Sequence, residues 1–340
     1  MDALNKNKIE IFGLEGEASL FFEDNMIHYK ELGLIKLPKS FIRFYSNKES
    51  NDSANSKRNY SLEALRNNTV HLSRPSEFND PYDCSLRIDY DTFCDKKINE
   101  FIEENGYPIS TDLSLVMKKR ILMDYGITPD ELKSELDNLY KNEIYHLQHW
   151  LVCCFSEPQL IYSNTMWAHY ADNHKGFCIE YKMPEISKDD EKWHEYLLPW
   201  ERSVLMHFYP VVYCDVRPDF TQKWLDMDNV LKNSDSYTDV FPYYQYGFLP
   251  KGKEWNYEHE WRFIYPPVKK GMEREYPLTE RLKSQDNFEF FPIENVYLGC
   301  NITKEAQDEV IKSIGNRNIH LYKEDRSMDS YNSEFKEIEK

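Results

Sequence analysis

The stretch "EWNYEHEWRFIY", residues 254–265, decides how the chain is read. Side chains alternate faces along a strand, so a strand here sends Glu258, Glu260 and Arg262 one way and His259, Trp261 and Phe263 the other. The aromatic set suits a core. The charged set spaces two carboxylates and a guanidinium roughly 7 Å apart, at a rise of about 3.3 Å per residue. Two readings stay open at this point. One is a solvated sheet face held by a Glu–Arg pair. The other is a cleft wall on which the repulsion of two carboxylates raises one pKa and Arg262 keeps the other charged.

The chain around this stretch has 340 residues, enough for one large or two ordinary domains. It is rich in aromatics (25 Tyr, 19 Phe, 7 Trp) and has only 11 Gly, which disfavours Gly-rich phosphate loops. The formal net charge of −17 argues against a protein that coats nucleic acid, since backbone phosphates call for a basic surface. The first 25 residues contain no apolar signal-like segment, and no later run is long enough to span a bilayer, so a cytoplasmic protein is expected. The seven cysteines show no C-x-x-C pair. Several sit in apolar runs such as "WLVCCF" and "GFCIEY", so buried reduced thiols and no metal are expected. No H-E-x-x-H, G-x-S-x-G or Walker A motif is present.

Patterning divides the chain into a helical or loosely packed lead-in at 1–35 and a single domain from 36 to 340. "SFIRFYS" (40–46), "TVHLS" (69–73), "LVCCFSE" (151–157), "FCIEY" (177–181), "NVYLGC" (295–300) and "NIHLYK" (318–323) read as strands. A polar loop follows the first of these. "SLEALRNN" (61–68) reads as a helix capped by Ser61, and 163–176 as a helix ending at Gly176. Helical spacing fills an insertion at about 95–150, and an irregular aromatic insertion covers about 184–254. Strands and helices do not alternate strictly, so an α+β class with a mixed or antiparallel sheet is expected.

Three further clusters could carry chemistry. Arg43 lies among Ile42, Phe44 and Tyr45, where a guanidinium requires a carboxylate partner or an anionic ligand such as a phosphate. Ser73, Ser76, Asn79 and Asp80 crowd a loop directly after a strand, a frequent place for function and also a good turn in its own right. His169 and Tyr170 share a helix with His174 and Lys175, which suit its C-terminal end.

Four phrases, "NNTVHLSRPSEFNDPYDCS", "CFSE…MWAHYADNHKGFCIEY", "KGKEWNYEHEWRFI" and "IENVYLGCNI…NIHLYK", together resemble the uncharacterised bacterial family called domain of unknown function 2971. That resemblance covers about 40–340 and implies no activity. The order Arg43, Ser73 (or Ser76) and Glu258-His259-Glu260 also resembles ADP-ribosyltransferases of the Arg-Ser-Glu type, although their Ser-Thr-Ser string is absent. This second resemblance implies a split-sheet core and NAD as substrate, with no metal. It implies Arg43 at the NAD phosphates or ribose and Ser73 or Ser76 at the nicotinamide side. Glu260 would face the oxocarbenium-like ribose and Glu258 would activate an acceptor, with His169 and Tyr170 as walls. The acceptor would be a protein or RNA, and the setting a toxin or an anti-phage defence effector. Two alternatives stand beside it: a metal-independent nuclease using His169 and Glu260 beside Arg262, and a non-enzymatic interaction module.

Overall fold

A computed structural model describes residues 8–11, 14–17, 37–51, 57–85, 87–104, 114–147, 150–184, 197–222, 247–265, 281–283, 287–327, 329, 331 and 333–340. Parts of the expected lead-in and of the aromatic insertion, and Gly106, lie outside these residues. The chain divides into two compact units, one comprising Met1–Asn25, Pro75–Trp150 and Val212–Lys253, the other Met26–Arg74, Leu151–Val211 and Glu254–Lys340.

The second unit is built on an eight-stranded sheet. Its strands in chain order are β1 (Ser40–Tyr45), β2 (Leu151–Ser156), β3 (Phe177–Lys182), β4 (Phe208–Pro210), β5 (Glu260–Tyr265), β6 (Ile293–Leu298), β7 (His320–Arg326) and β8 (Ser333–Glu337). Their spatial order is β8-β7-β6-β3-β1-β2-β5-β4. Only β6 and β7 run parallel, joined by the helix Lys304–Ile314, and the other neighbours are antiparallel. The α+β class with a mixed, mostly antiparallel sheet is therefore what the chain adopts.

Register sorts the side chains onto two faces. Glu180 stands opposite Ile42, Ile42 opposite Ser156, and Ser156 opposite Glu260, so these four project from one face. Ile42 and Phe44 of that face pack on Trp167, Met166 and Ala171 of the Asn164–Tyr170 segment. The opposite face carries Phe41, Tyr181, Phe155, Trp261 and Phe263. These interlock with Phe208 and Phe290 at centroid distances such as 4.6 Å for Phe41–Phe208 and 4.6 Å for Phe155–Phe290. Tilted and edge-on aromatic pairs of this kind add to the stabilisation from burial alone.

The strands β1 and β2 pair at Ile42 and Ser156 and then diverge. At the far end of β2 the segment after the short strand Thr69–His71 takes the place beside Val152. Ser73 N–H donates to Val152 O, and Val152 N–H to Ser73 O, each at 2.8 Å.

The first unit holds the helices Tyr90–Glu104, Leu115–Asp124 and Pro129–Leu147, which occupy the expected helical insertion. Phe93, Cys94, Ile98, Leu122 and Leu132 form their core. It also contains a four-stranded sheet that includes Lys8–Ile11 and Leu14–Glu17. The lead-in was expected to be helical or loose. The alternation of Ile9 and Ile11 with Lys8 and Glu10 is instead a period of two, and it pairs as a hairpin.

Two further local expectations are corrected. The helix expected to be capped by Ser61 starts at Tyr60, and its cap is Asn59, whose side chain accepts from Leu62 N–H at 3.1 Å. The helix expected over 163–176 stops at Tyr170, because Asp172, Asn173 and His174 all adopt left-handed backbone (φ 48°, 56° and 63°). Gly176 is required for another reason: a Cβ there would lie 2.0 Å from Tyr45 O.

Candidate functional site

The opening stretch does not form one continuous strand. Lys253–Glu258 is a 3-10 turn, His259 has φ 40°, and β5 begins at Glu260. A left-handed residue breaks the pleat, so Glu258 does not share the strand alternation of Glu260 and Arg262. Positive φ at a non-glycine residue stores backbone strain, which tends to gather where function requires it.

Polar contacts surround this kink. Tyr170 Oη donates to Glu258 Oε1. His169 Nδ1 lies 3.3 Å from Tyr257 Oη, and the two rings meet nearly edge-on. His259 Nδ1 lies 3.5 Å from Glu157 Oε2. Tyr170 and Tyr257 also pack against the Ile42–Trp167 cluster, which fixes them to the sheet face. Ser163 caps the helix that carries His169 and Tyr170, accepting from Met166 N–H, and Trp167 Nε1–H donates to Ile161 O at 2.7 Å. That helix therefore has a fixed rotation: Trp167 points inward, Tyr170 is half-buried and His169 is exposed.

Glu260 and Arg262 do share a face. Arg262 Nε donates to Glu260 Oε1 at 2.8 Å and Nη2 to Oε2 at 3.3 Å, a two-pronged pair with the guanidinium 0% exposed. Of the two readings of the charged set, the solvated one is excluded, because all three side chains are buried. Glu258 thus meets a phenol and Glu260 a guanidinium, both at buried positions.

The remaining sequence candidates do not join this group. Arg43 pairs with Ile179 across β1 and β3, so it projects from the aromatic face, opposite to Glu260. There its Nη1 donates to His71 O at 3.0 Å and meets Cys153 Sγ, while its guanidinium lies 5.6 Å from the Tyr45 ring centre. Its place among apolar neighbours is met by a carbonyl, a sulfur and a ring. Ser73 stands opposite Val152, on the Glu260 face but four residues along β2 from Ser156, a separation of roughly 13 Å. Ser76 lies on the exposed turn Pro75–Glu77 in the other unit.

Two buried carboxylates of the second unit were not singled out by the sequence. Glu180, in "FCIEY", accepts from Ser40 Oγ at 2.5 Å, Asn295 Nδ2 at 2.7 Å and Tyr297 Oη at 2.7 Å. Burial first, and then Glu180, push the Tyr297 phenol well up, which keeps it a proton donor to that carboxylate. Glu324 is the second, and lies beside His174 and Cys300. The signal for Glu180 was an acidic residue at an inward-facing strand position. For Glu324 no local pattern exists.

The fold and the site together define an α+β protein with a carboxylate-bearing sheet face. Residues 166–263, the segment from the His169 helix through Arg262, match the family model described as "Protein of unknown function (DUF2971)". No curated protein and no solved structure matches the chain. Among the described residues, no helix is long and apolar enough to cross a membrane.

Proposed function

We propose that the protein is an NAD-consuming enzyme of the ADP-ribosyltransferase kind, acting through Glu258 and Glu260. The observation that supports this reading is the burial of two carboxylates around one kink, Glu258 accepting from Tyr170 and Glu260 from Arg262, with Tyr170 and Tyr257 packed on that sheet face. In the reaction the bond between ribose C1′ and the nicotinamide nitrogen breaks, and nicotinamide leaves with the bonding electrons. Positive charge develops on the ribose, which an oriented carboxylate stabilises. Glu260, oriented by two nitrogens of Arg262, suits that task. Glu258, hydrogen-bonded to Tyr170, takes the proton of the water or acceptor hydroxyl that attacks C1′. His169 and Tyr257 supply aromatic walls.

Arg43 has no part at this carboxylate pair, since the sheet stands between them. An enzyme of this kind would deplete NAD or modify a protein or RNA acceptor, which fits a toxin or defence effector. In the nuclease reading His169 and Glu260 work as a pair, but His169 stands against Tyr257 and Tyr170 while Glu260 is held by Arg262. The test is to incubate the purified full chain with NAD and follow nicotinamide release. Nicotinamide appearing in step with NAD loss supports the reading, and intact NAD with no nicotinamide overturns it.

A further inference from the structure

Away from the carboxylate pair, three segments of the second unit converge on one point. A ring nitrogen of His174, Cys300 Sγ and a carboxylate oxygen of Glu324 all lie within 4.8 Å of one another. His174 comes from the left-handed turn after the Asn164–Tyr170 helix, Cys300 from the turn after β6, and Glu324 from the middle of β7. From this convergence we propose that His174, Cys300 and Glu324 bind one divalent transition-metal ion of the zinc class.

The donor set is the first argument. Imidazole nitrogen, thiolate sulfur and carboxylate oxygen are the three ligand types zinc takes, and three protein ligands leave a fourth, tetrahedral position for water. A thiolate and a carboxylate together carry two negative charges, which a divalent ion neutralises in a pocket where Glu324 is buried. Tetrahedral zinc places such ligand atoms about 3.2–3.8 Å apart, so the widest separation, within 4.8 Å, closes by on the order of 1 Å while the His174 Nδ1–Glu324 Oε2 pair, at 2.9 Å, opens slightly. The ion would take the place of the hydrogen shared between them, and the Cys300 thiol would release its proton to solvent.

The surroundings are the second argument, because metal ligands are normally oriented by outer hydrogen bonds. Ser333 Oγ donates to Glu324 Oε1 at 2.5 Å and Cys300 N–H to Oε2 at 2.8 Å, so two of the carboxylate's roughly four lone-pair positions are held from behind. Arg326 Nε donates toward Cys300 Sγ at 3.3 Å, the kind of donor that steadies a thiolate. The turn that presents His174 is a run of three non-glycine left-handed residues, a costly conformation. It is stitched to the Cys300 turn by Asn301 N–H to His174 O at 2.9 Å and Gly299 N–H to Gly176 O at 3.1 Å. At Gly299 a Cβ would lie 2.2 Å from His174 O, so the two turns approach as closely as backbone allows.

The experiment uses the full chain, stripped with a chelator and titrated with Zn²⁺ against a chromophoric competitor, and in parallel with Co²⁺ to read thiolate-to-cobalt charge transfer. The expected result is one ion per chain and a charge-transfer band for the wild type. Cys300→Ser should abolish the band, and both Cys300→Ser and His174→Ala should weaken binding at least about 100-fold, the upper end of the effect of outer-shell changes. His320→Ala, at an exposed histidine paired with Glu337, should leave binding unchanged. Failure of the wild type to bind one ion, or absence of its band, overturns the proposal even if a variant fails to fold. So does a Cys300→Ser protein that binds like the wild type.

Discussion

Arg262 holds Glu260 through two nitrogens on a single sheet face, with both side chains buried. An ion pair removed from water is not a large source of stability in itself, but breaking it leaves an uncompensated buried charge. The pair fixes the orientation of Glu260, which is what a carboxylate facing a developing cation needs.

The two halves of the pair should therefore be unequal to their sum. Glu260→Ala is expected to lower unfolding free energy by about 3–5 kcal/mol, because the buried Arg262 loses this two-pronged carboxylate partner. Replacing both residues with apolar ones of similar size should cost less than that single change. Urea unfolding of the two single variants and the double variant gives the coupling. Additive losses would show that the pair does not act as a unit.

Cys153 offers a check on the aromatic face. Burial first, opposed by Arg43, pushes its thiol up to about 11, so little thiolate exists near neutral pH. Iodoacetamide should leave Cys153 unmodified in the native protein and label it after denaturation, as read by peptide mass mapping. Rapid native labelling would place this thiol at the surface.

Acid stability has a definite sign at the start of the helix Tyr90–Glu104. The backbone N–H of Thr92 first, and its hydroxyl second, donate to Asp89 and hold its carboxyl below the ordinary 3.8. A folded pKa below the unfolded one gives stability that is present above the unfolded value and is lost as pH falls through the folded value. Asp89→Ala should cost about 1 kcal/mol near neutrality, as loss of a cap does. The gap between wild type and Asp89→Asn should shrink below roughly pH 4. A gap that stays constant across that range would mean that Asp89 does not titrate differently on folding.

How far the sequence reached can be seen at particular residues. Strand alternation correctly sent Trp261 and Phe263 to the core, because the aromatic face of β5 is a strictly local pattern. It failed at Glu258, since one left-handed residue, His259, resets the alternation, and the enrichment of histidine in that backbone region is too weak a signal to place the break. It also could not sort Arg43 from Glu260. They lie in distant strands, and only the pairing of β1 through β2 to β5 determines which face each one takes. The expectation of no metal rested on the absence of short ligand spacings. His174, Cys300 and Glu324 meet only because two turns and a strand are brought together by the fold.

The central claim is that Glu258 takes part in cleaving NAD. Glu258→Gln keeps an oxygen to accept from Tyr170 and changes the size of the side chain little. The decisive measurement is nicotinamide release from NAD by wild type and by Glu258→Gln, at matched folded concentration. The account predicts steady release by the wild type and a loss of at least about 100-fold in the variant. Release by a Glu258→Gln protein at the wild-type rate would contradict it.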